Sequence, residues 1–215
     1  MENLLTYERD LWLSKVNIAG VDEVGRGCLA GPVVAGAVIL PNDNDLLIYL
    51  KDVNDSKKLS EKKRRELFSI IQKYAISYGI GIVSANVIDQ INILRASFLA
   101  MRRAIDCLTV EPDYVLVDGN KQIKPLEIEQ QTIIKGDSKS LSIASASILA
   151  KVIRDEIMTE LDNVYQGYEF TRHKGYPTKV HYNALEKLGL TNIHRVSFCK
   201  KINPINQAIS IEYLT

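Results

Sequence analysis

The chain has 215 residues, of which 46% are hydrophobic and 25% charged, and its formal net charge is +1. This length suits one domain with a small appendage, and it buries enough surface to fold without a disulfide or structural metal. The balanced charge excludes a polycation, so a nucleic-acid site would have to come from local clusters of basic residues.

The first part of the chain predicts two strands followed by a helix. Residues 16–21 are a short apolar run, and residues 33–40 are apolar and β-branched, which is typical of a buried strand. A glycine-rich turn at residues 25–32 joins them, so we expect the two strands to pair antiparallel. Apolar residues at helical spacing then predict a helix over residues 60–74, with Ser60 as its N-cap.

The rest of the chain continues the alternation and ends in helices. The predicted elements are a strand at 75–83, a helix at 91–108, strands at 114–117 and 128–134, a helix from 139 to about 161, a polar and aromatic loop at 166–178, and a short helix at 180–188. This order predicts an α/β fold in which helices pack on the faces of a mixed sheet.

Neither the cysteines nor the apolar runs indicate export or membrane insertion. Cys28, Cys107 and Cys199 are far apart and form no Cys-x-x-Cys pair, which suits a reducing compartment. The first residues carry acids where a signal peptide needs a basic and then an apolar segment. The longest nearly apolar run, residues 31–40, is far shorter than the ~20 residues that span a bilayer. We therefore expect a cytoplasmic protein with no membrane contact.

Two adjacent carboxylates, Asp22 and Glu23, end the first apolar run. Burying them is costly unless a cation compensates, and carboxylate ligands suit Mg²⁺ or Mn²⁺. Gly25 and Gly27 also fit the Gly-x-Gly-x-x-Ala form of a dinucleotide fingerprint. However, Pro32 and a strand follow where that site requires a helix. The metal site is the favoured interpretation, and a nucleotide-binding enzyme is the alternative.

Two further aspartates have structural explanations of their own. Asp118 and Gly119 follow an apolar strand, which is a strong signal for a hairpin turn. Asp137 comes just before the long predicted helix, where an N-cap is the favoured role. The two roles of Asp137 are compatible, because a helix N-terminus keeps a carboxylate ionised. Each aspartate becomes a candidate metal ligand only in combination with the acidic pair.

Two polar loops contain candidate contacts to a nucleic-acid backbone. Lys57 lies in the stretch Asn-Asp-Ser-Lys-Lys-Leu-Ser, which is either a phosphate contact or an exposed loop leading into a helix. In the stretch His-Lys-Gly-Tyr-Pro-Thr, Lys174 is a candidate phosphate contact, and Tyr176 either stacks on a base or sugar or simply packs. His194 is as easily structural as functional.

In combination these segments resemble bacterial ribonuclease HII, over about residues 18–198. The segments that carry the resemblance are DEVGRGCLAGPVV, NDSKKLSEKKR, ASFLAMRRAI, VLVDGNK, IIKGDSKSLSIASASILAKVIRD, HKGYPTK and IHRVSF. The resemblance implies a ribonuclease H-like fold, with a five-stranded mixed sheet flanked by helices and a C-terminal helical extension. We therefore expect one catalytic domain over residues 1–215, with a core at 16–162, a substrate-binding extension at 163–200 and a tail at 201–215.

The resemblance also implies an activity. It implies an endonuclease that hydrolyses the RNA strand of RNA–DNA hybrids and cuts duplex DNA 5′ of embedded ribonucleotides, leaving 3′-hydroxyl and 5′-phosphate ends. A role in the removal of misincorporated ribonucleotides would follow. Four carboxylates, Asp22, Glu23, Asp118 and Asp137, would hold two Mn²⁺ or Mg²⁺ ions ~4 Å apart, with Asp22 bridging them.

Substrate recognition is implied in the same way. The backbone of Gly25, Arg26 and Gly27 would read the 2′-hydroxyl at an RNA–DNA junction, and Tyr176 would stack on the neighbouring deoxyribose. Type HIII enzymes lack this Gly-Arg-Gly, which favours type HII. A non-catalytic module that binds hybrids is the other alternative, but such a module would lose carboxylates that this chain keeps.

Three positions depart from the family pattern, which usually has Ala, Pro and a second Arg where this chain has Val24, Cys28 and Val196. Cys28 removes a proline restraint from the Gly-Arg-Gly loop, and Val196 puts a phosphate or salt-bridge role there in doubt. We expect a monomer. Residues 207–214 loosely resemble peptides that bind sliding clamps, but the apolar anchor is misplaced, so a packed or disordered tail is favoured over clamp contact.

Overall fold

A five-stranded mixed sheet forms the centre of the computed structural model, which describes residues 4–43, 45–54 and 56–199. The strands are β1 (Ile18–Val24), β2 (Val33–Ile39), β3 (Ser77–Val83), β4 (Tyr114–Asp118) and β5 (Gln130–Ile133). They lie in the order β3-β2-β1-β4-β5. β2 pairs antiparallel with β1 and β3, whereas β4 pairs parallel with β1 and β5. The predicted mixed sheet is confirmed, as is the antiparallel pairing of its first two strands.

Helices cover both faces of this sheet. They are α1 (Thr6–Leu11), α2 (Leu46–Tyr49), α3 (Glu61–Tyr74), α4 (Ala85–Ile91), α5 (Ile93–Asp106), α6 (Leu141–Val164), α7 (Phe170–His173), α8 (Lys179–Leu188) and α9 (Val196–Cys199). Short 3₁₀ helices span Ser56–Lys58 and Gly136–Ser138. Ser60 accepts a hydrogen bond from the backbone N–H of Lys63, which confirms it as the N-cap of α3.

The two long helices lie close to the sheet. α5 packs on one face through small residues such as Ala100, and α6 packs on the other through Ala146. A Cβ at Gly36 of β2 would lie only 2.5 Å from the carbonyl oxygen of Ala146, and one at Gly81 of β3 would overlap the carbonyl of Ala100. Glycines in the strands therefore permit the close approach, which fixes the helices relative to the ends of β1 and β4.

Beyond the sheet, α7, α8 and α9 pack around the second half of α6. Phe170, Leu185 and Cys199 are buried there together with Met158 of α6 and Leu29 of the β1–β2 connection. These helices fall within the predicted extension at 163–200, whose exact boundaries stay a prediction. The predicted tail at 201–215 lies outside the described residues. No helix in the described ranges is both long and apolar enough to cross a membrane.

Two local predictions were wrong, and one helix was missed. The predicted helix at 91–108 is α5, and a separate helix, α4, precedes it because Asn92 has φ 67° and starts α5 by accepting a hydrogen bond from the Arg95 N–H. Asp118 and Gly119 do not form a hairpin turn, since β4 and β5 run parallel. Asp137 is not the N-cap of the long helix. It lies in the preceding 3₁₀ helix, and Ser140 caps α6 instead.

Candidate active site

The four predicted carboxylates gather where β1 and β4 end. Asp22 and Glu23 lie just before the last residue of β1, and Asp118 is the last residue of β4. Val21 and Val117 are direct partners in the parallel ladder, so the aspartates that follow them are neighbours. One oxygen of Asp118 accepts a hydrogen bond from the Gly136 N–H at 2.7 Å, which brings the adjacent Asp137 to the same end of the sheet.

Negative charge is concentrated at this site. Asp22 is only 7% exposed, and its pKa is raised well above the usual value by burial and then by the charges of Glu23 and Asp118. Burial also raises the pKa of Glu23, although Arg26 opposes that shift. Placing like charges together in a buried site favours the uptake of cations.

Two side chains that were predicted to contact substrate lie against these carboxylates. Arg26 donates to Glu23 at 2.9 Å, and the ammonium group of Lys57 lies 4.0 Å from Asp137. Lys57 belongs to the 3₁₀ helix before α3, and 80% of its side chain is exposed. Both cations therefore stand at the border between the carboxylates and solvent.

The donor set fits hard divalent cations. Four carboxylates provide only oxygen ligands, which Mg²⁺ and Mn²⁺ prefer. Within the described ranges, no three His, Cys, Asp or Glu side chains are placed so that they could hold a metal ion as they stand. The fit therefore rests on the chemistry of the donors and on the raised pKa of the buried Asp22 carboxyl, whose ionised form a cation would stabilise.

Sequence reasoning missed Ser147, which supports the acidic pair from α6. Its hydroxyl hydrogen-bonds to Asp22 and thereby lowers the pKa of that carboxyl. It also lies 2.9 Å from the hydroxyl of Ser56, next to Lys57. The sequence shows only a run of small residues along α6, and nothing in that run distinguishes Ser147 from Ser145, whose hydroxyl bonds within its own helix.

A buried arginine holds the Gly-Arg-Gly loop from beneath. Arg195 donates to the carbonyl of Arg26 at 2.9 Å and twice to the carbonyl of Gly31, at 2.9 and 3.1 Å. Burial lowers the pKa of Arg195 to about 10, so it stays charged at neutral pH. Because these bonds go to backbone oxygens, they fix the course of the loop whatever side chains it carries.

Arg154 of α6 joins the same loop to the segment that contains Tyr176. It donates to the carbonyls of Ala30 and Pro32, at 3.2 and 3.0 Å, and to the carbonyl of Lys174 at 2.9 Å. Gly25 has φ 95°, and a Cβ there would overlap the Arg154 side chain. The first glycine of the motif is thus required by packing as well as by backbone conformation. The sequence gives no sign that Arg154 is buried, because two acids, Asp155 and Glu156, follow it directly.

Tyr176 lies at the surface, above this arginine. Tyr176 is 37% exposed. Its ring centroid is 5.7 Å from the Arg154 guanidinium and 6.0 Å from the Lys151 ammonium. The buried thiol of Cys28 lies against its hydroxyl. The predicted phosphate contact, Lys174, instead donates to the hydroxyl of Thr159 at 2.7 Å. The exposed ring is therefore available to a ligand on the side of Gly-Arg-Gly.

Comparison with known proteins agrees with this arrangement. The family model for ribonuclease HII matches residues 19–201. This chain belongs to the ribonuclease HII family. It is 57% identical over 185 residues to the ribonuclease HII of Clostridioides difficile (strain 630), an alignment that covers 86% of this chain and 71% of that relative. Membership of this family makes the chain a ribonuclease.

Solved structures share the fold. The ribonuclease H2 from Pyrococcus horikoshii OT3 has a TM-score of 0.71 and 28% identity, covering 86% of this chain and 96% of that one. The RNase HII from Archaeoglobus fulgidus, solved in a complex with PCNA, has a TM-score of 0.67 and 26% identity, covering 84% and 94%. The predicted ribonuclease H-like fold is confirmed by these similarities together with the sheet topology.

Proposed function

We propose that this chain hydrolyses the RNA strand of RNA–DNA hybrids and cuts duplex DNA on the 5′ side of an embedded ribonucleotide, leaving 3′-hydroxyl and 5′-phosphate ends. The observation that carries the proposal is the position of Asp22, Glu23, Asp118 and Asp137 beside a glycine loop held by buried arginines. Family membership supports the same chemistry, which would serve the removal of misincorporated ribonucleotides.

The four carboxylates are proposed to hold two Mg²⁺ or Mn²⁺ ions, with Asp22 shared between them. Bound ions at such a site supply the positive charge that activates a water and stabilises the leaving oxygen. Asp22 is suited to the shared position because it is the most buried of the acids on β1 and is oriented by Ser147 and by the N–H of Glu23, which bonds to it at 2.7 Å.

Selection of RNA is assigned to the backbone of Gly25, Arg26 and Gly27. A loop whose polar groups pair with the 2′-hydroxyl is left with unpaired groups when a deoxyribose takes its place, and this penalises an all-DNA duplex. Tyr176 is proposed to stack on the adjacent deoxyribose. Lys57 and Lys174 are proposed to contact phosphates, and Lys174 can do so while bonded to Thr159 because an ammonium has three donors.

The test is cleavage of a duplex DNA that contains one ribonucleotide, in Mg²⁺ and then in Mn²⁺, with the product ends mapped. Asp22→Asn should reduce cleavage by several orders of magnitude without unfolding the protein, whereas Asp10→Asn, an exposed acid on α1, should leave cleavage unchanged. Near-normal activity of Asp22→Asn, or equal cutting of an all-DNA duplex, would refute the proposal.

A sliding-clamp contact through residues 207–214 is a second candidate interaction, and those residues lie outside the described part of the chain. The complex of the Archaeoglobus fulgidus enzyme with PCNA favours testing it. We propose that the chain acts as a monomer whose tail provides any such contact. Deletion of the residues after Asn206 should then weaken binding to a clamp, while sedimentation should still show a monomer. Unchanged clamp binding would refute the proposed contact.

A further inference from the structure

The three histidines of the chain are packed together in the extension, away from the carboxylates. His173 belongs to α7, His181 to α8 and His194 to the segment before α9. The rings of His173 and His181 stack with their centroids 4.4 Å apart, and Phe170 lies edge-on to both. All three side chains are buried, and none of them has a place in the proposed chemistry.

Hydrogen bonds fix where the protons of two of these rings lie. The backbone N–H of Thr191 donates to His194 Nδ1 at 2.9 Å, so a neutral His194 carries its proton on Nε2. That Nε2 lies 3.1 Å from Nε2 of His181, which must therefore accept. The remaining proton of His181 is on Nδ1, which donates to the carbonyl of Tyr176 at 3.0 Å. The two histidines thus form a directed chain that ends on Tyr176.

His173 is fixed in the same manner. The N–H of Gly175 donates to its Nδ1 at 3.2 Å, and its Nε2 then donates to the carbonyl of Tyr168 at 2.8 Å. His173 therefore bonds to Gly175 and Tyr168, and His181 bonds to Tyr176. Each imidazole uses one nitrogen as a donor and the other as an acceptor. In this arrangement every histidine is neutral, and every ring nitrogen has a partner.

A second proton on any ring would break this order. Protonated His181 would turn its Nε2–H toward the Nε2–H of His194, and protonated His194 would turn a new N–H toward that of Thr191. The carboxylates that act on the cluster, Asp162 and Glu169, act on His173. The other neighbours include the aromatic rings of Tyr168 and Phe170 and the Thr191 hydroxyl, which lies 2.8 Å from His194 Nδ1. Burial lowers the pKa of His181 to about 4 and that of His194 to about 3.

We propose that His181 and His194 are positioning residues for substrate recognition, because their directed hydrogen bonds hold the Tyr176 carbonyl and so present the Tyr176 ring to the nucleic acid. Protonated His181 keeps the Nδ1–H that donates to this carbonyl, so what a second proton on His181 breaks is the hydrogen bond between the two rings. The inference rests on the proposed contact between Tyr176 and substrate, and it adds residues that touch no substrate atom themselves.

Nitrogen NMR of histidine-labelled protein tests the proton order directly, since three histidines give a spectrum that is simple to assign. We expect Nε2–H tautomers for His173 and His194, an Nδ1–H tautomer for His181, and no titration of His181 or His194 between pH 6 and 8. A different tautomer at His181, or its titration near the ordinary histidine pKa of about 6.5, would overturn the proposal.

Binding to a one-ribonucleotide duplex, measured by fluorescence anisotropy without added metal, tests the effect on recognition. His181→Leu should raise the Kd roughly tenfold, within the range for loss of one stacking contact. His181→Asn should recover most of the affinity, because its amide can still donate at the Nδ1 position. Asn183→Ala, an exposed neighbour on α8, serves as the control.

A double-mutant cycle separates this inference from the proposed function. If His181 acts through Tyr176, His181→Leu should cost nothing further in a Tyr176→Ala background. Equal costs in both backgrounds would reject the positioning role, while a Tyr176→Ala variant that binds as tightly as the unmodified chain would reject the proposed contact of Tyr176 itself. Thermal unfolding of each variant checks that it is folded. If His181→Leu does not fold, the same cycle is measured with His181→Asn.

Discussion

Asp22 is subject to opposing influences from its neighbours. Burial and the charges of Glu23 and Asp118 raise its pKa, while the Ser147 hydroxyl and the Glu23 N–H lower it. A metal binds the ionised carboxylate, so any group that stabilises the ionised form also favours the metal. Among these groups, the Ser147 hydroxyl is the one that a single substitution removes without changing charge.

We predict that Ser147→Ala raises the metal concentration needed for half-maximal cleavage by about tenfold, as loss of a supporting hydrogen bond commonly does. The pKa of Asp22 rises further in this variant, so the acid limb of the pH–rate profile moves to higher pH. Ser145→Ala is the matched control, since Ser145 is equally buried on α6 but bonds to Leu141 of the same helix. Metal titrations that do not differ between the two variants would contradict the role of Ser147.

Arg195 is the second residue whose replacement is informative. Arg195→Lys offers a point charge where a planar fork now donates to Arg26 and Gly31, so at least one buried carbonyl loses its partner. We expect unfolding free energy to fall by about 1–3 kcal/mol and the preference for a ribonucleotide-containing duplex over DNA to fall with it. Arg172→Lys, an exposed pair with Glu169, is the control. Competition cleavage with an unchanged preference would show that the loop needs no such support.

At the scale of elements, α6 is anchored at its N-terminus by α1. Glu8 of α1 is buried and accepts bonds from the hydroxyls of Ser140 and Ser142, at 2.6 and 2.7 Å, and from the Ser142 N–H at 3.0 Å. A carboxylate there also complements the helix dipole. Because α6 carries Ser147 and Arg154, this contact stabilises the element that supports both halves of the site.

Glu8→Gln keeps the size of this side chain and removes its charge. We expect the free energy of unfolding in urea to fall by about 1–2 kcal/mol, the range for a charge-assisted bond at a helix N-terminus. Asp10→Asn on the exposed side of α1 should change it by less than about 0.5 kcal/mol. A Glu8→Gln variant that unfolds at the same urea concentration as the unmodified chain would show that α1 contributes little to the stability of α6.

Local signals in the sequence predicted the elements well, and non-local ones were missed. Ser60 was identified as a cap because the cap and the Lys63 N–H that donates to it lie three residues apart. The parallel pairing of β4 with β5 depends on packing against other elements, so the turn signal of Asp118 and Gly119 was misread. The arginines that support the site were missed for the same reason. Arg154 bonds to Pro32 122 residues away and Arg195 to Gly31 164 residues away, and the sequence shows neither partner.

At the scale of the whole molecule, the recognition surface is assembled from the two ends of the chain. The N–H of Leu29 donates to the carbonyl of Gly175, the N–H of Gly31 to that of Ile193, and the N–H of Arg195 to that of Leu29, all at 2.8 Å. Asp22, Glu23 and Asp118 could be singled out because they end apolar runs in the sequence, whereas Asp137 was added by the resemblance to ribonuclease HII. Their link to the extension could not be recognised, because it consists of backbone bonds that no side-chain pattern reports.

Stability should therefore depend on pH through the histidines of the extension. The pKa values of His181 and His194, about 4 and about 3 in the folded chain, lie below the ordinary value of 6.5. Unfolding thus takes up protons below pH 6.5 and becomes easier as the pH falls. Each such histidine lowers the free energy of unfolding by roughly 1.4 kcal/mol per pH unit until its folded-state pKa is reached.

The raised pKa of Asp22 acts in the opposite direction, since acidification relieves its repulsion in the folded state. Comparing variants isolates the histidines. The urea midpoint of the unmodified chain should fall more steeply between pH 6.5 and 5 than that of His181→Asn, because Asn does not titrate and the carboxylates are common to both. Parallel slopes for the two proteins would mean that His181 is protonated to the same extent folded and unfolded, and that the extension is not a source of acid sensitivity.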